Sequence, residues 1–307
     1  MVFGQTNRRN ISSIERSYKM ADIKTLIPDI YKMLEDGVDV STMRNREAME
    51  KFSRSLWQSM GRQLKEGTKR REAGGGLRMS QIGKPDRQLW YDYRGVTEPR
   101  PIDGQTKLKF MFGDILEALL ILLTELSGHE VSDEQGEVEI NGVKGHKDCR
   151  IDGVLTDIKS ASPYAFKKFK EGTLHTDDPF GYIAQISGYA EAGKDKAAAF
   201  FAVDKSSAEL ALMDVQSVHM ISASDRINKV KSFLQSETPP PRCYPDEPDG
   251  KSGNRKLAIG CIFCPFNEEC WKDANGGVGL RKFQYSNGVR YLTQVAKSPD
   301  VLEVTNA

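Results

Sequence analysis

The segment Gly145-His-Lys-Asp-Cys-Arg-Ile-Asp-Gly-Val-Leu-Thr-Asp-Ile-Lys159 constrains the fold more than any other stretch of the chain. Its Asp152-Gly153 pair suits a two-residue type I′ turn, which needs positive φ at both positions and fixes the register of the strands it joins. With that turn Ile151 faces Val154, Cys149 faces Thr156, Asp148 faces Asp157 and His146 faces Lys159. Strand side chains alternate in direction. Cys149, Ile151, Val154, Thr156 and Ile158 therefore share an apolar face, while His146, Asp148, Asp157 and Lys159 share the other with Leu155. An Asn141-Gly142 pair upstream predicts a second turn, so residues 129–161 read as a three-stranded meander.

Two carboxylates facing each other across neighbouring strands repel, because opposed Cβ atoms stand only ~4.5–5.5 Å apart. Either one of them holds a proton or both share a cation. A hard divalent ion such as Mg²⁺, which takes oxygen ligands, resolves the repulsion, and Lys159 is placed to position or activate a water beside it. The plainer alternative is a surface hairpin whose aspartates are solvated and neutralised by Lys159 and Arg150. Glu117 favours the cation: it interrupts the otherwise apolar run Ile115–Leu123, where an unpaired charge would be costly to bury.

Helical spacing predicts helices over 22–36 and 44–66, a helix start followed by an aromatic turn over 80–95, and a largely apolar, core-buried helix over 107–128. Beyond the meander, a helix is expected over 178–192, strands over 197–205 and 207–215, and a helix over 222–236. A last hairpin is expected over 282–295, on an Asn287-Gly288 turn. This order points to an α/β fold with a mixed sheet and helices packed on it. On the 178–192 helix, Tyr182, Gln185 and Tyr189 fall on one stripe. The segment 160–172 interleaves Tyr164, Phe166 and Phe169 with Lys167, Lys168 and Lys170. That suits either stacking and phosphate contacts to a single strand or an amphipathic packing segment. Lys69, Arg70, Arg71 and Arg78 surround three consecutive glycines, in a solvated linker or a strand-gripping loop.

Gly113-Asp-Ile-Leu-Glu117, Gly145-His-Lys-Asp148, Asp157-Ile-Lys159 and Gln185-Ile-Ser-Gly-Tyr189 occur in this order. Together they resemble the motifs of the PD-(D/E)xK nuclease superfamily, in particular its RecB-like branch of phage exonucleases and CRISPR-associated nucleases, over roughly residues 78–272. The resemblance implies a restriction-endonuclease-like core and a metal-dependent nuclease acting on DNA. Glu117, Asp148 and Asp157 would hold Mg²⁺ or Mn²⁺, Lys159 would help activate water, and Gln185, Tyr189, Tyr182 and His146 would contact DNA. Asp152, in the turn, is left outside the site.

Five cysteines is an odd number, and four of them lie within 28 residues, as Cys243 and Cys261-x2-Cys264-x5-Cys270. That pattern argues for a metal site in a reducing compartment over a disulfide framework. Four thiolates suit tetrahedral zinc or an iron–sulfur cluster. The triplet resembles the C-terminal cysteines of RecB-like iron–sulfur nucleases, which implies a 4Fe-4S cluster with zinc as the alternative. In those proteins the fourth ligand is an N-terminal cysteine before an Arg and an aromatic run. Here Pro85-Asp86-Arg87-Gln88-Leu89-Trp90-Tyr91 stands in that place without one, and Cys243 is the expected substitute. Cys149 belongs to the apolar hairpin face and is expected in the core.

The organisation expected is an N-terminal arm and helices over 1–77, a nuclease core over 78–236, and a cysteine module with the last hairpin over 237–307. Residues 1–19 read as an arm, with Met20 a second plausible start and no apolar segment of a secretory signal. Forty-four basic residues against 43 acidic give +1 in 307 residues, so bulk charge names no polyanionic partner and any DNA contact must be local. No apolar run approaches the ~20 residues that span a bilayer. A cytoplasmic location is expected, the host's if the chain is phage-encoded. The expected activity is that of an exonuclease on linear or single-stranded DNA ends. An endonuclease of the same fold and a non-catalytic DNA-binding protein using the cysteine module are the alternatives.

Overall fold

A computed structural model describes residues 22–67, 76–95 and 101–304. The arm at 1–19, Met20 and the basic residues Lys69, Arg70 and Arg71 lie outside the described residues. The helices are α1 (Leu26–Asp36), α2 (Met43–Glu66), α3 (Asp86–Arg94), α4 (Gly104–Leu126), α5 (Pro163–Lys170), α6 (Tyr182–Gly193) and α7 (Ala223–Leu234). The strands of the central sheet are β1 (Val131–Ser132), β4 (Cys149–Ile151), β5 (Val154–Ala161), β6 (Ala198–Asp204) and β7 (Leu210–Val215), in the spatial order β1-β4-β5-β6-β7. Between the first two in sequence lie β2 (Glu137–Ile140) and β3 (Val143–His146), which form a hairpin of their own, with a single bridge from Lys144 to Arg78. Near the C-terminus β8 (Glu247–Pro248), β9 (Arg255–Lys256), β10 (Arg281–Tyr285) and β11 (Gly288–Gln294) form a separate four-stranded sheet. No helix among the described residues is long and apolar enough to cross a membrane.

The central sheet is mixed, as the element order implied: β5 and β6 run parallel, and the other neighbours run antiparallel. Helices cover both faces. On one, Leu155, Phe200, Ala202 and Met213 pack with Phe166 and Phe169 of α5, Ile183 and Ile186 of α6, and Ile227 of α7. On the other, Cys149, Ile151, Ile158 and Phe201 pack with Leu26 and Ile30 of α1 and Leu120 of α4. Cys149 is thus a core residue, and of the aromatics in 160–172 only Tyr164 faces solvent, Phe166 and Phe169 being buried. That segment is chiefly a packing helix.

The Asp152-Gly153 turn has positive φ at both residues, and Cys149↔Thr156 and Ile151↔Val154 pair as the sequence predicts. The expected three-stranded meander is broken, however. The ladder ends at Cys149, and β3 belongs to the other hairpin, where His146 pairs with Glu137. The break falls at Lys147-Asp148, where a loop from the β1–β2 connection intervenes. Lys147 N–H donates to the Gly136 carbonyl, Gln135 N–H donates to the Asp148 carbonyl, and the buried Lys147 side chain ion-pairs with Asp133. His146 therefore does not face Lys159. Its exposed ring points to Glu137, 3.9 Å from the carboxylate.

Two other expectations change. The 104–126 helix is buried only in its C-terminal half, through Ala118, Leu120, Leu122 and Thr124, and Leu108, Phe110 and Phe112 are exposed. Its all-round apolarity does not mean all-round burial: the first half touches the sheet on one side, through Gly113 against Ser160 of β5, and leaves Leu108, Phe110 and Phe112 uncovered. In the last hairpin the two turn residues are Ser286 and Asn287, since Tyr285 pairs with Gly288, the first residue of β11.

The entry to α6 is set by a backbone-on-backbone contact. Gly181 (φ 76°) lies against Gly83, and a Cβ on either would overlap the other's backbone. Glycine is required there twice over, for close approach and for the left-handed φ. Gly181→Ala should destabilise the fold by about 1–3 kcal/mol. Urea unfolding measures this, and an unchanged midpoint would show that the contact is not tight.

Candidate active site

The turn places Asp157 and Lys159 two residues apart on the α6 face of β5, where the alternation of the strand makes them neighbours of Leu155. Asp157 is 1% exposed. Its Oδ2 is 2.5 Å from Lys159 Nζ in an ion pair but makes no well-formed hydrogen bond. Its Oδ1 accepts from Gln185 Nε2 at 3.4 Å, and the same amide donates to Tyr189 Oη at 3.0 Å. Lys159 Nζ also sits 4.9 Å from the centroid of the Tyr182 ring. The stripe of α6 formed by Tyr182, Gln185 and Tyr189 thus lies over the Asp157–Lys159 pair. Burial, only partly offset by its bond to Gln185, pushes the Tyr189 phenol up to about 12.

Asp148 lies one residue beyond the ladder, and its carboxylate folds back to accept from Ile158 N–H at 2.7 Å. It is close enough to Asp157 for the two charges to interact. Burial and then the Asp157 charge hold the Asp148 carboxyl well above the usual carboxylate range. Asp157 is itself raised by burial, against the pull of Lys159. Lys159 loses by desolvation but gains more from Asp157 and Asp148, so its ammonium is held more firmly than in water.

Glu117 comes from the middle of α4. Its Oε1 accepts from Gln135 Nε2 at 3.2 Å. Burial, then Asp114 and Asp157, push its carboxyl up to about 7. Asp114, a turn earlier, was not singled out in the sequence although Gly113-Asp-Ile-Leu-Glu117 contains it. It is held by Gln63 Nε2 at 2.9 Å and lies 3.7 Å from Arg62. Gln135, Gln63 and Arg62 carried no local sequence signal, because they arrive from elements distant in sequence, Arg62 and Gln63 from α2 and Gln135 from the β1–β2 connection. The structure therefore brings together Glu117, Asp148, Asp157, Lys159, Gln185, Tyr189 and Tyr182, and leaves His146 apart. Asp152 also stands elsewhere, its carboxylate 2.6 Å from the buried His129.

Among the described residues no three His, Cys, Asp or Glu side chains stand in a ready metal-binding arrangement. The acidic oxygens are turned to internal partners: Lys159, the Ile158 amide and Gln135. The donor set nonetheless suits a hard cation: three carboxylates face one ammonium, which is paired with Asp157 Oδ2 and cannot answer all three charges.

Cys243, Cys261, Cys264 and Cys270 line one small cavity of about 30 Å³ together with Arg87, Gln88 and Tyr91. Cys261 lies in a helical turn (Ile259–Ile262), Cys264 follows two residues after its end, and Cys270 closes the next turn (Asn267–Cys270). Phe266 stacks on Tyr91 at 5.5 Å and joins α3 and α7 in one apolar cluster. Cys243 lies beside the backbone N–H groups of Arg87 and Gln88, in the first turn of α3. Those donors have no partner within the helix and lie at its positive end. Burial, then Cys270 and Cys264, push the Cys261 thiol up to about 12. Arg87 Nε and Trp271 Nε1 are buried without a well-formed hydrogen bond, and the polar groups beside them are the Cys270 and Cys261 sulfurs. No disulfide forms among the five cysteines. The four thiols thus share one cavity with N–H donors beside two of them, an environment that favours charged sulfur, without standing in a ready metal-binding arrangement.

No protein-family model and no curated protein sequence matches the chain. Among solved structures it is similar to an alkaline exonuclease (LHK-Exo) of Laribacter hongkongensis. That match has 16% identity and a TM-score of 0.35, covering 53% of this chain and 91% of that one. The same enzyme in complex with dAMP gives the same figures. SSO0001 is similar at 13% identity and a TM-score of 0.37, over 70% of this chain and 91% of that one. These likenesses are distant, and the chemistry is read from this chain's own side chains.

Glu117 is a direct test of the crowded acidic site. Its folded carboxyl, near 7, lies above the ordinary 4.5. The folded state therefore favours the protonated form, and that contribution is full below pH ~4.5 and lost as pH rises through ~7. Glu117→Gln removes the ionisation, so in chelator-containing buffer its melting temperature should exceed the wild type's increasingly between those pH values. The gain should be of order 1 kcal/mol. A stability difference that does not vary with pH would contradict the raised carboxyl.

Proposed function

We propose that the chain is a metal-dependent deoxyribonuclease with a restriction-endonuclease-like core, an exonuclease that hydrolyses phosphodiesters from DNA ends. The single observation that carries this reading is the convergence of Glu117, Asp148 and Asp157 on Lys159, with all three carboxyl groups raised by burial and two of them also by mutual repulsion. A purely structural ion pair needs one acid per base; this cluster has three, and the surplus negative charge calls for a cation.

In this reading Glu117, Asp148 and Asp157 hold Mg²⁺ or Mn²⁺, which would supply charge relief on the phosphate and a reactive water. Lys159, fixed between Asp157 and the Tyr182 ring, keeps its proton and presents a positive charge to the attacking water or the scissile phosphate. Gln185 holds Asp157 Oδ1, so the carboxylate orientation depends on α6. Tyr189 and Tyr182 form the wall against which the DNA backbone would lie. Gly181 fixes where that wall begins. His146 has no part in this constellation, although it was expected to contact DNA.

The cysteine cavity is read as a structural centre that fastens the C-terminal segment to α3. A 4Fe-4S cluster is the occupant the family resemblance favours, and zinc is the alternative. The module boundaries near 77 and 236 belong to the same proposal, as does action on linear or single-stranded ends during recombination, replication or degradation of DNA.

End-labelled linear and closed circular DNA, incubated with Mg²⁺ or Mn²⁺ and with a chelator, separate the readings. Exonuclease action consumes only the linear form, endonuclease action opens the circle, and a binding protein does neither. Lys159→Ala should lower cleavage by at least ~100-fold while leaving the far-ultraviolet circular dichroism unchanged. Cleavage at the wild-type rate would sink the site. For the cysteines, anaerobically purified protein should show a broad band near ~400 nm if a cluster is bound and none if zinc is. Cys261→Ser should lose the metal in either case, which elemental analysis measures.

A further inference from the structure

An exposed aromatic stands at the entry to α6, beside the acidic site. Phe180 is 54% exposed, yet it is not loose: its ring stacks on Tyr182 at 5.6 Å with 26° between planes. Tyr182 in turn lies 6.3 Å from Phe169 and 6.4 Å from Phe200, so a chain of rings runs from the buried sheet to solvent. The backbone on either side is held as well. Asp178 caps α6 by accepting from Tyr182 N–H at 3.0 Å and Ile183 N–H at 2.8 Å, and Gly181 is locked against Gly83. An apolar side chain in a turn ordinarily folds inward to escape water. Here the turn presents it outward, directly beside the ring that carries Lys159.

A second aromatic stands on the same rim. Tyr164, at the start of α5 just after β5, is 73% exposed, carries the Lys168 ammonium 5.0 Å from its ring centroid, and reaches Asp177 through its hydroxyl at 3.4 Å. Asp177 and Asp178 thus connect the two exposed rings through one short turn. Rigid, solvent-facing rings next to an ammonium are the elements that hold an unpaired base and its phosphate. A base inside a duplex has both faces covered by its neighbours and has none to offer Phe180.

We propose that Phe180 is a base-stacking platform that positions the unpaired nucleotide next to the scissile phosphate, and that it makes the enzyme prefer single-stranded or frayed DNA ends. The proposal rests on the nuclease reading given above and names the substrate form of that same site. Phe180 acts as a positioning residue: it touches the base, and Lys159 with the three carboxylates performs the chemistry. Tyr164 would take the next base or the sugar of its neighbour, its ring held in place by Lys168, whose ammonium is paired with Asp177.

The test uses the full-length protein with Mg²⁺ and a single-stranded oligonucleotide in which one abasic residue is walked through the positions nearest each end. In the wild type, one abasic position should lower kcat/KM by about 5- to 100-fold, the range expected for one stacked base, with the loss mainly in KM. Phe180→Ala should show the same loss on the fully based strand and no further loss when the abasic residue occupies that position. Phe180→Trp should restore the wild-type value, which a merely structural role would not predict. On blunt duplex ends, wild type and Phe180→Ala should differ by less than about twofold. The proposal is overturned if Phe180→Ala cuts the fully based strand like the wild type, or if the two losses multiply instead of replacing each other. Wild-type protein that cuts no DNA would remove the nuclease reading itself. Cleavage by the wild type with an indifferent Phe180→Ala removes only the platform.

Discussion

The contact between Asp157 and Lys159 is the constraint on which the site depends. An aspartate with 1% exposure in the middle of a sheet is costly unless its charge is answered locally. The answer comes from two residues along the same strand, because the period of a strand returns Lys159 to the same face. Everything else at the site is arranged around that pair. Gln185 takes the other oxygen of Asp157, Tyr182 supports the ammonium, and Asp148 is drawn close enough to raise and be raised in energy. Removing Lys159 would leave Asp157 without its counter-charge, whereas removing Asp157 would leave Asp148 as the nearest negative partner of the lysine. The pair is therefore both a piece of the core and the electrostatic centre of the site.

A single segment, residues 79–94, links this centre to the cysteine cavity. Met79 packs against Gly145 and Gly188, where any larger residue would collide with it, and Gly83 receives Gly181. Arg226 of α7 then ties the next stretch, donating to the carbonyls of Ile82 and Lys84 and pairing with Asp86. Four residues later Trp90 donates to the Ser236 carbonyl, and Arg87 to that of Pro240. The C-terminal segment is thus docked on the same helix whose first turn faces Cys243. A disturbance of the cysteine cavity would be felt at α3 first, and only through residues 79–83 at α6.

Much of the site was legible because its signals are local. Asp152-Gly153 dictates a turn through the φ values the pair accepts, and three residue pairs of register follow from it. Glu117 announced itself as a charge inside an apolar run. The Gln185 and Tyr189 stripe follows from helical periodicity. His146 was misplaced because register was extended past the point where the ladder ends. What ends it is a loop from elsewhere, with Gln135 and Gly136 taking the hydrogen bonds that a longer strand would have made. No alternation pattern contains that information. The N-terminal half of α4 was misjudged for a similar reason: apolar composition says a surface would gain from burial, while only the tertiary arrangement decides whether a partner is there. Gln63, Arg62 and Asp114 came together from α2 and α4, a meeting that depends on how two long helices pack.

The charge arithmetic of the site separates the functional from the structural explanation. A buried pair retained for packing tends toward neutrality, since each uncompensated charge costs several kcal/mol. Here Glu117, Asp148 and Asp157 face Lys159, and Asp114 adds a fourth acid whose partner Arg62 stands 3.7 Å away and is largely exposed. An apolar replacement for Glu117 or Asp148 would remove the surplus charge, at the cost in the second case of the partner of the Ile158 N–H. An arrangement that retains two surplus carboxylates beside a buried base bears a folding cost with no return in the folded state alone. In the proposed reading a bound cation would offset that cost, and burial together with neighbouring acids, which raises Glu117 and Asp148, is the strain it would relieve.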